Sequence, residues 1–334
     1  MKRATYKESG VDLGAYDSLV PVIKGVLKAS SRSSGTGHFA GMVELDRKSG
    51  LLLVASIDGV GTKVKVAKSY GRSAGLGQDI VAHCVNDILS VGARPVAFLD
   101  YIAFDRLDRG IFVQVLRGIA RECRKNGIEL VGGETAEMPG VYCSGEFDLA
   151  GCIIGLVRRS ALVDGRAIKK GDLIVGLPSN GLHTNGYSLA REVLLGRARL
   201  RLDRRPRGWR EPLGAALLRP HTNYFKAVYP LAQSGLLAGI AHITGGGISG
   251  NLKRILPGNV DATLKRSLWR VPTIFRLIAE TGPVSDEEMF RVFNMGLGML
   301  LVVPHANLPE VMKRAKDSRV VGEVVEGRGG VSIS

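Results

Sequence analysis

The sequence has 334 residues, of which 45% are hydrophobic and 23% are charged, and its formal net charge is +15. This length and composition are typical of a soluble enzyme with two domains and exclude a low-complexity chain. No stretch has the roughly 18 uncharged apolar residues that a membrane span needs, and the first residues lack the apolar segment of a signal peptide. We therefore expect a cytoplasmic protein that has no membrane partner.

The positive charge leaves two kinds of partner open, nucleic acids and anionic small substrates. The densest basic run, 197–210, contains a single aromatic residue, Trp209. A platform for single-stranded nucleic acid interleaves several aromatic residues with its basic ones, so a solvated loop is the favoured interpretation. We expect no nucleic-acid partner.

The four cysteines show neither a CxxC pair nor zinc spacing, which indicates reduced thiols.

The first half begins with a polar segment whose apolar spacing predicts one helix, 16–28, followed by a glycine-rich loop, 35–41. The loop is either a hairpin connection or a lid over a site. A stretch that ends at an Asn-Gly pair predicts a further helix over 110–125. Apolar runs predict strands at 51–57, 95–99, 128–131 and 147–157. Long strands with few crossover helices favour an α+β domain.

The second half alternates strands, glycine-rich turns and helices, which is typical of an α/β layer structure. The predicted strands are 172–177, 241–244, 259–264 and 299–303. The predicted helices are 187–195, 251–256 and 287–293. A charged, irregular stretch at 158–170 separates the halves, and we place the two domains at 1–165 and 166–334.

A predicted helix over 79–90 has two incompatible sides. One side carries apolar residues at the i, i+3/i+4 spacing of a core-facing stripe. The other side carries short polar side chains: Asp79, His83, Asn86, Asp87 and Ser90. A plain surface helix of this basic chain would carry Lys, Arg and Glu there. We interpret the polar line as the floor of a magnesium–nucleotide site, with Asp79 and Asp87 as ligands and the other three as supports.

Three apolar strands of the first half end in a carboxylate: Asp58, Asp100 and, after two glycines, Glu134. Two such charges ~4 Å apart repel by about 4 kcal/mol at an effective dielectric near 20, so a converging cluster needs a cation. Oxygen ligands favour Mg²⁺, Mn²⁺ or Ca²⁺ over zinc, and Mg²⁺ is usually bound together with substrate phosphates. We therefore expect Mg²⁺ with a nucleotide.

Three glycine-rich turns are candidate phosphate sites. DGVGTK at 58–63 is not a Walker motif, but it combines exposed backbone N–H groups with Lys63. The turns 181–186 and 244–250 precede helices, where free N–H groups attract phosphate. A dinucleotide site is disfavoured because the nearest acid after the second turn, Asp261, comes too early. His183 is the histidine candidate, with a turn-capping role as the equal alternative, and no nucleophile with its base is recognisable.

Several motifs run along nearly the whole chain in order: YKESGVD (6–12), DGVGTK (58–63), ND (86–87), FLDY (98–101), GGETAEMPG (132–140), HTNGYS (183–188), TGGG (244–247) and FNMGLGM (293–299). In these motifs the chain resembles the phosphoribosylformylglycinamidine cyclo-ligase, or AIR synthetase, family. GGETAEMPG is highly specific, whereas the other motifs occur more loosely in the wider superfamily. The glycine loop departs from the family's GGFG-like pattern at His38 and Ala40, and no family motif covers the Arg-rich run 197–210.

The resemblance implies an α+β N-terminal domain that dimerises through its sheet, followed by an α/β C-terminal domain. It implies an ATP-dependent ligase of purine biosynthesis that converts formylglycinamidine ribonucleotide to aminoimidazole ribonucleotide, ADP and phosphate. ATP would phosphorylate the formyl oxygen, and an intramolecular nitrogen would then attack the activated carbon. The cofactors would be ATP and Mg²⁺, the enzyme a homodimer, and the 35–41 loop a lid over the nucleotide.

Matching positions imply roles for individual residues, which fall into four groups. The metal ligands would be Asp58, Asp79, Asp87, Asp100 and Glu134. The nucleotide would contact these carboxylates, except Asp100, and Gly59, Gly61, Thr62 and Lys63. The substrate would contact His183, Thr184, Asn185, Gly245, Gly246, Gly247 and Asn294. The catalytic residues would be Lys63, Asp100 and His183.

Two alternatives stay open beside this function. Another ATP-using member of the superfamily, of the FGAM synthetase or thiamine-monophosphate kinase type, would share the looser motifs. A basic nucleic-acid-binding protein would instead use the +15 charge.

Overall fold

A computed structural model describes residues 3–30 and 39–334 of the chain. Its strands form two mixed sheets, each covered by helices. The first sheet has five strands in the order β1-β2-β5-β3-β4. They are β1 (Gly41–Asp46), β2 (Leu51–Gly59), β3 (Arg94–Phe104), β4 (Glu129–Glu137) and β5 (Phe147–Arg158). The helices of this half are α1 (Leu13–Ser30), α2 (Lys63–Tyr70), α3 (Ala74–Leu89) and α4 (Arg109–Asn126).

The second sheet has six strands in the order β11-β8-β10-β6-β9-β7, and all its pairings are antiparallel except β11 with β8. The strands are β6 (Leu173–Pro178), β7 (Gly239–His242), β8 (Val260–Leu264), β9 (Leu297–Val303), β10 (Arg319–Glu326) and β11 (Val331–Ile333). The helices are α5 (Tyr187–Arg191), α6 (Leu213–Leu217), α7 (Phe225–Gln233), α8 (Gly247–Leu252), α9 (Thr273–Thr281), α10 (Asp286–Val292) and α11 (Leu308–Arg314). A π-helical turn, Glu192–Arg197, continues α5.

Helix α3 is fixed against the first sheet by its apolar side. Ile80 and Ile88 are fully buried in one core with Phe98 of β3 and Ile153 of β5. On its other flank α3 crosses α4 at very short distance, since a Cβ atom at Gly77 would stand 2.1 Å from the Val115 carbonyl oxygen. The close crossing therefore requires glycine, and it holds the polar side of α3 in a fixed direction.

The opposite face of the first sheet has no helix over it among the described residues. Along β5 the residues alternate between buried and half-buried, so Ile154 and Leu156 on the open face retain accessible surface. Ile57 of β2 is 73% exposed. Helix α1 also exposes apolar residues of the pattern that predicted it, with Leu19 and Ile23 each 52% exposed. None of the described helices is both long and apolar enough to cross a bilayer.

Two details of the strand prediction are wrong. Asp100 and Glu134 do not end their strands but lie inside β3 and β4. Because β3 continues to Phe104, the alternation of side chains decides which face each carboxylate occupies. The Arg-rich run 197–210 is irregular; it packs Leu200, Leu202 and Trp209 against the second core and leaves most of its arginines exposed.

Candidate functional site

The polar side of α3 is buried, not open to a cleft. None of its five polar residues is more than 5% exposed. Asn86 donates to the Thr222 carbonyl at 2.8 Å and accepts from the Tyr224 N–H at 3.0 Å. The polar side of α3 contacts three parts of the second half: residues 183–184, residues 219–224 and His242. We call this contact the seam. The expected open floor is thus replaced by a buried polar contact, because segments more than 100 residues away cover it.

Lys63 and Asp79 form a fully buried ion pair at one end of the seam. The Lys63 Nζ lies 2.8 Å from Asp79 Oδ2 and donates to the carbonyls of His183 and Arg219, both at 2.9 Å. Asp79 Oδ1 accepts from the His221 N–H at 2.7 Å. Burial lowers the pKa of Lys63 and raises that of Asp79, and the opposite charge of each partner counteracts this. The ammonium donates two hydrogen bonds to backbone carbonyls, faces Asp79 and is fully buried, so in this arrangement it is not exposed to a phosphate.

A chain of hydrogen bonds and ion pairs links three buried histidines to two carboxylates, and a fourth histidine stacks on it. His83 Nδ1 lies 2.8 Å from Thr184 Oγ1, which lies 3.2 Å from His221 Nδ1. His221 Nε2 lies 3.1 Å from His242 Nε2, and His242 Nδ1 lies 2.8 Å from Asp87 Oδ1. Asp58 Oδ2 is 2.9 Å from His83 Nε2, which is itself 3.9 Å from Asp87 Oδ2, so the chain closes into a ring. His183 stacks on His221 with ring centroids 4.1 Å apart.

The ring holds one imidazolium. Burial alone would lower the pKa of His83, but the charges of Asp58, Asp87 and Asp79 outweigh it and raise the pKa to about 9. Burial alone would raise the pKa of Asp58, but the His83 charge outweighs it, so that pKa is lowered. Burial and the neighbouring cations hold the pKa values of His183 and His221 well below the ordinary value. His83 is therefore protonated at neutral pH, whereas His183 and His221 are neutral.

Asp58 and Asp100 lie in one row of the first sheet. Gly151 of the central strand β5 is paired with Asp58 of β2 on one side and with Asp100 of β3 on the other. A Cβ at Gly151 would contact Ile80 of α3 at 2.9 Å, so both carboxylates face the α3 side. Two strand spacings, about 10 Å, separate their backbones. Burial raises the pKa of Asp100, which has no ion-pair partner among the described residues.

Glu134 does not join this row. Its strand position is paired with Tyr101, whereas Gly133 is paired with Asp100. Because side chains alternate along a strand, Glu134 points to the opposite face of the sheet, and it is exposed. The five predicted metal ligands are thus not brought together: Asp79 is paired with Lys63, and Glu134 faces away.

The residues predicted to contact the substrate lie around two neighbouring turns. An added Cβ at Gly245 would stand 3.5 Å from Asn185 Oδ1, so 181–186 adjoins the glycine turn 244–247. Asn251 holds that turn by donating to the carbonyls of Thr244, Gly245 and Gly247 at 3.2, 3.3 and 2.7 Å. Gly246 and Gly247 have positive φ. The helices after the turns, α5 and α8, are short, so helix dipoles contribute little there.

Other predicted residues have protein partners. Asn294 accepts from Ser179 Oγ at 2.7 Å and from the Gly296 N–H at 2.9 Å, and it donates to the Gly181 carbonyl at 2.8 Å. Thr62 Oγ1 lies 3.2 Å from Ser188 Oγ, across the two halves. Gly59 donates its N–H to Asp58 Oδ1, and Gly61 adopts φ 55° at the turn.

The glycine loop is described only in part. Residues 35–38, and with them His38, lie outside the described residues. Ala40 is buried, and the Phe39 ring lies 5.0 Å from the Arg254 guanidinium of the second half. The loop thus ends against both halves of the chain, as the lid interpretation requires, although closure itself stays a prediction.

Sequence reasoning missed His221 and His242. Both follow apolar or basic residues without a motif of their own, and their partners Thr184 and Asp87 lie 37 and 155 residues away. The available signal was indirect, since His83 and Asp87 had already marked α3 as unusual. Only the tertiary arrangement of β7 against α3 reveals the partners.

Both halves of the chain match known protein families. The family model described as AIR synthase related protein, N-terminal domain, matches residues 37–157, and the model of the C-terminal domain matches 169–334. The phosphoribosylformylglycinamidine cyclo-ligase of Myxococcus xanthus is 48% identical over 334 residues, 97% of each chain. That of Thermodesulfovibrio yellowstonii is 42% identical over 332 residues, again 97% of each chain.

Solved structures show the same fold at lower identity. A structure described as AaThiL complexed with AMPPCP and TMP matches with a TM-score of 0.66 and 19% identity, over 94% of this chain and 92% of that chain. Phosphoribosylformylglycinamidine synthase II from Thermotoga maritima matches with a TM-score of 0.59 and 20% identity, over 87% of this chain and 42% of that chain. The predicted fold class, α+β followed by α/β, is confirmed.

Proposed function

Since this chain belongs to the phosphoribosylformylglycinamidine cyclo-ligase family, we propose that it closes the imidazole ring of its substrate at the edge of the seam. The activity is that of a ligase in purine biosynthesis, which converts formylglycinamidine ribonucleotide to aminoimidazole ribonucleotide with the use of ATP. The observation that carries this function is the 48% identity over 97% of both chains. The location of the reaction and the roles of individual residues are proposals.

The row that contains Asp58 and Asp100 suits a magnesium–nucleotide. Asp100 is a desolvated carboxylate without a counter-charge among the described residues, and it shares its row with Asp58, on the other side of Gly151. Mg²⁺ is typically bound by one or two carboxylates plus phosphate oxygens, so acids about 10 Å apart fit an ion-phosphate assembly better than one shared ion. When bound, Mg²⁺ would neutralise phosphate charge. We propose Asp58, Asp87 and Asp100 as the carboxylates that hold this assembly of Mg²⁺ and phosphates.

The chain's own residues mainly position the reactants. Phosphoryl transfer needs alignment and charge stabilisation, so the absence of a recognisable nucleophile is consistent with it. Lys63 acts in this proposal as a positioning residue, because its ammonium ties α2 to the His183 and Arg219 carbonyls. His183 is neutral and buried, and its Nδ1 has no hydrogen-bond partner among the described residues. That nitrogen is the group we propose for contact with the substrate.

The substrate would lie where 181–186 meets the glycine turn. Thr184 is held by two histidines and therefore orients the loop, whereas Asn185 is half-buried beside Gly245 and its amide makes one long hydrogen bond, to Thr184 Oγ1 at 3.4 Å. ATP supplies the phosphoryl group that turns the formyl oxygen into a leaving group. The substrate nitrogen then forms the new C–N bond as phosphate departs.

We also propose a homodimer that forms through the open face of the first sheet. Ile154, Leu156 and the 73% exposed Ile57 make this face apolar, and contiguous apolar surfaces of this kind are typical of interfaces. A cytoplasmic location is part of the same proposal, and the four free cysteines support it.

The test is an assay of the purified full-length protein with formylglycinamidine ribonucleotide, ATP and Mg²⁺. We expect ADP, phosphate and an aminoimidazole product in equal amounts, and no turnover when Mg²⁺ is chelated. Thiamine monophosphate, offered in parallel, should give no ADP. Turnover with thiamine monophosphate and none with the ribonucleotide would overturn the proposal.

A further inference from the structure

The ring of buried side chains contains two histidine donors that the proposed reaction does not use, and they lie beside a carboxylate, Asp87, that it does use. Each of His83, Asp87 and His242 offers a ligand atom, and these atoms lie within 4.8 Å of one another. All three residues are buried. We propose that they bind one transition-metal ion of the Zn²⁺ type, which would join α3 to the end of β7. This site goes beyond the proposed function and does not depend on it.

The distances between donors are close to those of a tetrahedral site. His83 Nε2 lies 3.9 Å from Asp87 Oδ2, and His242 Nδ1 lies 2.8 Å from Asp87 Oδ1. Ligands about 2.1 Å from a tetrahedral zinc are roughly 3.4 Å from each other. One of the observed separations is longer than this value and the other is shorter, so small side-chain rotations would bring the donor atoms to the distances of a tetrahedral site. Asp58 Oδ2, 2.9 Å from His83 Nε2, is placed to supply a fourth ligand.

An unsatisfied nitrogen points into the site. His83 is 2% exposed, and its Nε2 has no hydrogen-bond partner among the described residues, since the nearby Asp58 oxygen is not aligned with the N–H direction. A buried polar atom without a hydrogen bond is uncommon and calls for a ligand or an ion. A metal at this point would displace the proton that makes His83 an imidazolium in the metal-free protein and would then use the lone pair of Nε2.

The nitrogens that face away from the site have partners for their protons. With Nδ1 protonated, His83 donates to Thr184 Oγ1 at 2.8 Å, which leaves Nε2 free for a metal. With Nε2 protonated, His242 donates to His221 Nε2 at 3.1 Å, and His221 then donates from Nδ1 to Thr184. Outer hydrogen bonds of this kind fix the tautomer of metal-binding histidines. Both inner nitrogens are thus available at the same time.

Charge and ligand type select the metal. Once the metal has displaced the His83 proton, the histidines are neutral, and Asp58 and Asp87 leave two negative charges at the site, which one divalent cation neutralises. Imidazole suits Zn²⁺, Co²⁺, Ni²⁺ and Cu²⁺, whereas Mg²⁺ prefers oxygen ligands and water. The site is therefore chemically distinct from the magnesium–nucleotide row, although it shares the two carboxylates.

The test uses full-length protein that has been treated with a chelator and titrated with Co²⁺ alone, followed by its visible d–d absorption. We expect one equivalent to bind with the intense bands of a four-coordinate site. Zn²⁺ should displace Co²⁺, and a large excess of Mg²⁺ should not. Binding without saturation near one equivalent, or displacement by Mg²⁺, would overturn the proposal.

Substitutions of individual residues test which side chains bind the ion. His83→Leu and His242→Gln should each weaken Co²⁺ binding at least about a hundredfold, whereas His221→Phe, which removes an outer partner, should weaken it roughly 10- to 100-fold. The exposed His305→Gln is the matched control and should bind like wild type. Zn²⁺ should also raise the melting temperature of wild type and of His305→Gln but not of His83→Leu. Wild-type binding by a folded His83→Leu protein would contradict the site.

The result is separable from that of the ligase assay. Normal ADP release together with absent Co²⁺ binding would overturn the metal site alone. If His242→Gln does not fold, His83→Leu decides the question, because it removes the other histidine ligand.

Discussion

Asp79 and Asp100 are both buried carboxylates, yet only one has its charge balanced within the protein. Asp79 faces the Lys63 ammonium at 2.8 Å and accepts the His221 N–H. Asp100 has no ion-pair partner among the described residues, and burial raises its pKa. A carboxylate that remains desolvated and unpaired is unfavourable unless a ligand compensates for it. This difference supports a structural role for Asp79 and the ligand-binding role that we propose for Asp100.

Asp100→Asn should therefore abolish most ATP turnover and leave the melting temperature near that of wild type. The substitution keeps the shape of the side chain and removes only the charge that would attract the metal. The matched control is Asp105→Asn, a residue that is equally buried and accepts from the Gly145 N–H at 3.1 Å. Comparable turnover in both variants would show that Asp100 has no role in the reaction.

Lys63→Met should destabilise the protein by about 3–5 kcal/mol, because it leaves Asp79 as an uncompensated buried charge. The double variant Lys63→Met/Asp79→Leu should regain most of that free energy of unfolding, since apolar pairs often replace buried ion pairs at little cost. Denaturant unfolding of the four proteins in the cycle measures the coupling. Additive losses would mean that the two side chains act independently.

At the scale of elements, the amphipathic and apolar patterns predicted most of the first sheet and α4. The strand predicted at 147–157 is Phe147–Arg158, and the helix predicted at 110–125 is Arg109–Asn126. These elements follow from local periodicity, which needs no knowledge of distant partners. β1 and α2 were not predicted, and α5 is shorter than its predicted helix, because the chain there continues as a π-helical turn.

The site was harder to predict than the fold. The polar line of α3 was recognised from the sequence. Its partners Thr222 and His242, however, come from segments whose sequence did not indicate a contact with α3. A pattern of polar residues shows that a helix side is unusual, and it does not show whether a ligand or another part of the chain covers it. That distinction depends on long-range packing.

The stability of the protein should depend on pH through His83 of α3. Its pKa is about 9 in the folded protein and near 6.5 ordinarily, so its contribution is fully present below pH 6.5 and is lost as pH rises through about 9. The free energy of unfolding should fall over this range by about 3 kcal/mol. Urea unfolding of the chelator-treated protein checks this, with His83→Leu as the control that lacks the slope. A free energy of unfolding that does not change with pH in the wild-type protein would mean that His83 is neutral in the folded state.

At the scale of the whole molecule, two surfaces of the first sheet have opposite characters. One face carries α3 and, through the seam, the second half of the chain. The other face presents Ile57, Ile154 and Leu156 without a helix over it in the part of the chain that the structure describes. A layered domain is usually covered on both faces, so a second copy of the chain is the proposed cover.

Ile57→Lys should convert the dimer to a monomer, because a buried unpaired ammonium opposes association. Light scattering after size-exclusion chromatography measures the mass in solution. The control is Leu268→Lys, an apolar residue that is 40% exposed on the second half, away from the sheet face. A mass that is the same for wild type and for Ile57→Lys would exclude this interface.

The seam also orders events during synthesis on the ribosome. The first sheet is complete at Arg158, but the groups that satisfy Asp79, Asn86 and His83 are supplied by residues 183–224. At 5–20 residues per second, roughly 3–13 s pass before the last of them is made. During that interval the nascent first half exposes an incompletely paired acidic helix side. Its final packing must wait for the second half, so the two halves finish folding together.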